Sequence, residues 1–215
     1  VYMSSGILSG FTITNGHTMT SGQIYYDCMG GGVSLNAGDG PTIRGGDGLV
    51  TNCILVGNAS DNFGGGCYKG SLFNCTIIGN TASGGGGSYY CSLYNCIISG
   101  NSALEDGGGI YQGTANNCTI TGNSASDGGG MYYGTANNCT ISGNSAEELG
   151  GGIYNATVNN CIVWYNEAPT GNDLSSAIAR FSCSPYLTHG IDGNITNSPL
   201  LTADGHVAWN SPCRG

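Results

Sequence analysis

The sequence predicts an all-β fold, a parallel β-helix: a single-stranded β-solenoid with about 22 residues per coil. Three observations lead there. The dipeptide Asn-Cys recurs six times, with cysteines at Cys53, Cys75, Cys96, Cys118, Cys139 and Cys161, separated by 22, 21, 22, 21 and 22 residues. Cys183 follows after a further 22, behind Ser182. Each copy holds short apolar–polar alternations between Gly and Asn, and none holds a stretch with helical period. Glycine is abundant, 41 of 215 residues, without a Gly-X-Y period and with 5 prolines, which excludes collagen.

The coil can be read column by column. Residues 107–125, 128–146 and 150–168 are successive copies. Cys118, Thr119, Ile120 and Thr121 alternate with period two, so an inward Cys118 and Ile120 leave the threonines outside. One inward column is then Leu55, Ile77, Ile98, Ile120, Ile141 and Val163; a second is Val50, Leu72, Leu93, Ala115, Ala136 and Val158. Gly-Asn follows the strand at Asn58, Asn80, Asn101, Asn123 and Asn144, with Tyr165 replacing Gly before Asn166. Gly and Asn accept left-handed backbone at a corner, and stacked Asn side chains can form a hydrogen-bonded ladder. Three corners per coil and a rise of roughly 4.8 Å are expected. Helical repeats of similar period need amphipathic helices, and the leucine-rich repeat needs its own leucine frame; neither pattern is present.

The GGGIY and NCTITGNSA segments resemble the repeats of right-handed parallel β-helix proteins of bacterial surfaces. They are similar to the GGxI and FxxN repeats of polymorphic outer-membrane proteins, with Ile120 and Asn123 in the FxxN frame. The resemblance covers about residues 50–168, and the tail around Ser182–Pro185 and Ser211–Gly215 is similar to the closing segment of secreted β-helix proteins. It implies a right-handed coil, bacterial-type secretion, an extracellular or cell-surface location and, often, adhesion. One β-helix domain over 1–215 is expected: irregular coils with insertions in 1–49, regular repeats in 50–168, and a closing segment in 169–215. Insertions interrupt the first coils at 16–28 and 36–48, and length over period gives roughly eight to ten coils.

Composition narrows the function classes. Net charge is −9, with Arg44, Lys69, Arg180 and Arg214 as the fixed cations, which argues against nucleic acid and anionic membrane surfaces. No apolar run reaches the about 18 residues of a membrane span. With 39% hydrophobic residues the chain can bury a core. It opens in mid-pattern at Val1 with no signal peptide, as a processed or excised chain would. Dense cysteine with little lysine fits an extracellular or periplasmic setting. Zinc is disfavoured: no CxxC occurs, and the histidines are His17, His189 and His206.

Several columns are candidate sites. Tyr68, Tyr89, Tyr111, Tyr132 and Tyr154 each lie seven residues before a cysteine. If their neighbours Cys67, Ser88, Ile110, Met131 and Ile153 face inward, they form an exposed aromatic ladder for sugar rings or a protein; otherwise they are an internal stack. The outer positions beside the cysteines are apolar at Ile54, Val56, Ile78, Ile97, Ile162 and Trp164. Such a face calls for cover by residues 166–215 or by another chain, and its Thr content also admits an ice-binding array. Glu105, Asp127 and Glu148 recur at steps of 22 and 21, an acidic column that Ca²⁺ would relieve or water would solvate. The cysteine column reads as reduced, buried thiols. Cys183 with Cys213 is a disulfide candidate that would pin the tail; Cys28, Cys67 and Cys91 lie off the column, and Cys67 with Cys91 is a further candidate pair.

No clustered acids or acid–base set of the kind used by β-helix lyases and hydrolases stands out, so no catalytic residue is assigned. The leading expectation is a non-catalytic structural or adhesive solenoid, self-associating end to end or laterally because open strand edges template further strands. The alternative is a carbohydrate-binding or polysaccharide-cleaving β-helix.

Overall fold

The computed structural model describes residues 1–3, 5–18, 29–35, 47–202 and 207–213. Cys28, Arg44, His206, Arg214 and most of both predicted insertions lie outside the described residues.

The chain winds as a parallel β-solenoid of about six turns. The expected eight to ten was too many, because the closing segment adds strands without repeating the full coil. Three parallel sheets run along the axis. The first is built from long strands, among them Cys67–Phe73, Ser88–Tyr94, Ile110–Asn116, Met131–Asn137 and Ile153–Asn159. The second stacks seven short strands from Thr12–Thr14 to Ile162–Trp164, and the third stacks Thr81–Ala82, Ser102–Ala103, Ser124–Asp127 and Ser145–Leu149. Register follows the repeat: Ile77 pairs with Ile98, Ile98 with Ile120, Ile120 with Ile141, and Ile141 with Val163.

Both predicted apolar columns point inward, and all twelve of their side chains are fully buried. Ile110, Met131 and Ile153 form another inner column, and Ala82, Ala103, Ala125 and Ala146 line the third sheet. Ser88 occupies the Ile110 column between Cys67 and Ile110, and its buried hydroxyl has no hydrogen-bond partner among the described residues.

The coil has four corners, not three. Left-handed backbone occurs at Asn117 (φ 53°), Gly122 (φ 65°) and Gly107 (φ 65°), and their equivalents repeat through the stack. A fourth bend falls inside each long strand, at Lys69, Tyr90, Gln112, Tyr133 and Asn155, with φ between 46 and 59°. Lys, Tyr and Gln are not turn residues; Gly70, Gly113 and Gly134, which follow three of them, and Asn155 were the signal the sequence offered. The Gly-Gly-Gly triplet has two physical causes. Gly107 takes the left-handed corner, while a Cβ on Gly108 would run into the Ser124 carbonyl and one on Gly109 would lie 2.6 Å from the Gly130 carbonyl oxygen.

Among the described residues, the tail meets the second sheet at its last strands, where Cys183 forms a β-bridge with Ile162, and where Pro212 and Cys213 share a cavity with Thr140 and Ile162. Leu174–Ser175 and Ile178–Arg180 extend the first sheet beyond Ile153–Asn159, and Cys183 bridges Ile162 and Ile195. Residues 181–195 thereby close the C-terminal end. Ile54, Ile78 and Ile97 on the outer face of the second sheet are exposed by 44, 39 and 49%, whereas Val56, Ile162 and Trp164 are half-buried.

Candidate functional site

The five tyrosines are positioned by inward neighbours. Cys67, Ser88, Ile110, Met131 and Ile153 are fully buried, so the alternation turns each tyrosine outward. Parallel register then stacks the rings: Tyr68–Tyr89, Tyr89–Tyr111, Tyr111–Tyr132 and Tyr132–Tyr154 have centroids 5.5, 4.8, 5.1 and 5.3 Å apart, tilted by 11, 17, 25 and 27°. Phe63 stacks on Tyr89 at 4.4 Å. Tyr68 is buried and the other four are half-buried.

Ring faces inside the ladder are consumed by neighbouring rings, so the stack offers edges and phenolic hydroxyls to solvent. Sugar stacking needs an open face. The fourth corner adds side chains beside the ladder. Tyr90 and Tyr133 meet Tyr89 and Tyr132 edge-on, each at 4.8 Å, and the Lys69 ammonium lies 5.0 Å from the Tyr68 centroid. These contacts offset part of the cost of about 1–2 kcal/mol for a non-glycine residue in the left-handed region. Burial raises the pKa of Tyr111, with Asp106 adding to it, so the phenol stays protonated at neutral pH.

The acidic column has a different membership. A bulge between Ala125 and Asp127 shifts the register, so Asp127 pairs with Leu149 on one side and Asp106 on the other. Glu105 and Glu148 are exposed and stand off that line. The Asp127 carboxylate accepts the Leu149 N–H at 2.9 Å. Asp106 has a raised pKa from burial and from the Asp127 and Glu105 charges, partly countered by a hydrogen bond from Tyr132. Among the described residues, no group of three or more His, Cys, Asp or Glu side chains is placed to hold a metal ion, and the expected Ca²⁺ site has no support.

All described cysteines are free thiols. In the inner column each thiol does backbone work. Cys118 Sγ donates to the Asn116 carbonyl at 3.2 Å and accepts the Cys96 N–H at 3.4 Å, and the motif repeats at Cys139 and Cys161. Hydrogen bonding to Cys139 leads the causes that push the Cys118 thiol up to about 12. The column ends at Cys161. There the N–H finds Ser182 Oγ at 3.1 Å, and Cys183, expected to continue the column, sits one residue out of step beside Ile162. Cys67 lies in hydrogen-bonding reach of Cys91, and Cys183 of Cys213, so the members of both candidate pairs are neighbours.

The strongest polar feature is the asparagine ladder. Asn58, Asn80, Asn101, Asn123, Asn144 and Asn166 are buried. Each side-chain amide donates to the next Oδ1 at 2.8–3.0 Å and to a carbonyl of the preceding coil, as Asn123 does to Ile98. The run ends on Asp173, whose Oδ1 accepts the Asn166 backbone and side-chain N–H groups at 2.9 and 2.8 Å. Asp173 was not singled out in the sequence, because it stands seven residues after Asn166 instead of one coil later.

A protein-family model described as periplasmic copper-binding protein (NosD) matches residues 9–172. No curated protein and no solved structure matches the chain. The matched span contains every regular coil with its Asn-Cys corner, Asn ladder and tyrosine column, and the chain belongs to the NosD family.

Proposed function

We propose that this chain is a non-catalytic β-solenoid that works outside the cytoplasm in a structural or adhesive role and self-associates laterally. The observation that carries the reading is the outward patch of Ile54, Val56, Ile78 and Ile97 on in-register parallel strands, interspersed with Thr76 and Ser99. Rigid side chains spaced by the strand repeat match a second copy of the same patch, and removing them from water favours contact by about 25 cal/mol per Å². Lateral contact has more support than head-to-tail stacking. Strands Ser5–Ser9 and Thr12–Thr14 each pair on one side among the described residues, whereas residues 181–195 close the opposite end. The periplasmic family description and the absence, among the described residues, of a helix long and apolar enough to cross a membrane agree with action outside the cytoplasm.

Sedimentation velocity over a wide concentration range tests the proposal. Association of the wild type, lost in Ile78→Lys/Ile97→Lys, is expected. A wild type that stays strictly monomeric at high concentration overturns it.

Carbohydrate binding is a second reading. It rests on the fourth corner, where Tyr90, Gln112, Tyr133 and Asn155 hold left-handed backbone in a line along the ladder. Strained non-glycine residues gathered in one place are a mark of binding sites. A glycan array with Tyr133→Ala as the control decides it; no bound glycan removes the reading.

Copper is named in the family description, and the described residues do not fit it. Cu(I) favours converging thiolates. Here the column thiols stand one per coil, are engaged with backbone groups, and have raised pKa values at Cys96, Cys118 and Cys139.

A further inference from the structure

Cys183 and Cys213 meet beyond the repeated Asn-Cys corners, in the closing segment. They line one open cavity of about 350 Å³ between the last coils and the closing segment, together with Cys161, Phe181, Ile195 and Pro212. Cys183 itself is buried, while Cys213 is half-exposed. The two thiols are within hydrogen-bonding reach of each other. Of the column, Cys139 and Cys161 also border the cavity but are almost fully buried, while Cys67 and Cys91 lie inside the coil away from it. The segment that carries Cys213 returns to the body through the Leu201–Val207 bridge and the Ala208 N–H to Leu200 carbonyl bond of 2.9 Å.

We infer that Cys183 and Cys213 are an oxidisable pair, a clasp whose disulfide fastens residues 207–213 to the closed end of the solenoid. Two S–H bonds break and one S–S bond forms. The two electrons and, through solvent, the two protons pass to a disulfide-bearing oxidant, small molecule or protein, whose S–S bond breaks to give two thiols. The cavity gives that oxidant access to Cys213, and the mixed disulfide formed there lies next to Cys183, which resolves it. Neighbouring thiols need small rotations to reach disulfide geometry, while Cys161 is held by the Cys139 N–H and by its own bond to the Asn159 carbonyl. The clasp would also hold residues 181–195 over the Cys161 corner, where Ser182 replaces the thiol that ends the column.

The test uses the full chain, equilibrated with glutathione disulfide and mapped by mass spectrometry after alkylation of the remaining thiols. The expected result is a single crosslinked peptide pair joining Cys183 to Cys213, with the column cysteines alkylated once the chain is unfolded. Hydrogen exchange in 207–213 slows at least several-fold on oxidation of the wild type and does not change in Cys213→Ser. A crosslink from Cys213 to any other cysteine overturns the inference, as does the absence of a Cys183–Cys213 crosslink or an oxidised tail that exchanges as fast as the reduced one.

Discussion

Replacing Asn123 with alanine removes one rung from the middle of the buried ladder, and its cost follows from the hydrogen bonds. Asn123 Oδ1 accepts the Asn101 backbone N–H at 3.0 Å and the Asn101 side-chain amide at 2.9 Å. Its own amide donates to the Ile98 carbonyl at 3.0 Å and to Asn144 Oδ1 at 2.9 Å. Alanine strands the Asn101 N–H and one Asn101 amide hydrogen, both inside the coil, while the Ile98 carbonyl stays in the β-ladder with the strand Thr119–Thr121. Asn144 Oδ1 keeps the Asn123 backbone N–H, which is 3.0 Å away. Stranded buried groups cost about 1–3 kcal/mol each, so the loss is on the order of 2–6 kcal/mol. The control is Asn117→Gly at the surface. It removes one exposed hydrogen bond of 3.2 Å to Asn95, and glycine accepts the φ of 53°. Its cost is below about 1 kcal/mol. Urea unfolding followed by circular dichroism measures both. If Asn123→Ala costs no more than Asn117→Gly, the ladder is not what holds the coils in register.

Two further outcomes follow from the same geometry. Burial raises the Asp173 pKa despite its bonds from Asn166, so the folded chain binds that proton more tightly than the unfolded chain. Its contribution is therefore most favourable below the ordinary value of about 3.9 and falls as pH rises through the folded value. Asp173→Asn keeps the acceptor and removes the charge, so it should unfold at higher urea than wild type at pH 7, with the gap closing towards pH 4. A variant less stable than wild type at pH 7 would contradict this. Tyr111 stacks on both Tyr89 and Tyr132, and each stack contributes about 0.5–1.5 kcal/mol beyond area. Tyr111→Ala should lose about 2–3 kcal/mol in urea unfolding and Tyr111→Phe within about 0.5; equal losses would mean that the hydroxyl, not the stack, matters.

The coil was legible because its period repeats the same side chain at the same depth. Ile98, Ile120 and Ile141 announce an inner column, Asn101, Asn123 and Asn144 a ladder, and Tyr111 and Tyr132 a stack. What escaped notice depends on backbone geometry that side-chain type does not encode. The bend at Gln112 and Tyr133 puts a Gln or Tyr in the left-handed position, and the glycines Gly113 and Gly134 that follow lie inside a strand pattern. The bulge after Ala125 puts Leu149, not Glu148, opposite Asp127, which dissolves the acidic column read from equal spacing. At the end of the repeat, a slip of one residue gives the Cys161 N–H the Ser182 hydroxyl in place of a Cys183 thiol. Spacing predicts neighbours only while the register holds, and both misplaced columns fail where it shifts.

The most direct test is methyl NOE spectroscopy on isoleucine-labelled protein. Cross-peaks linking Ile77 to Ile98, Ile98 to Ile120 and Ile120 to Ile141 are predicted, since each pair is directly opposed on neighbouring strands. A spectrum without those links, with contacts confined to residues close in sequence, would contradict the stacked coil.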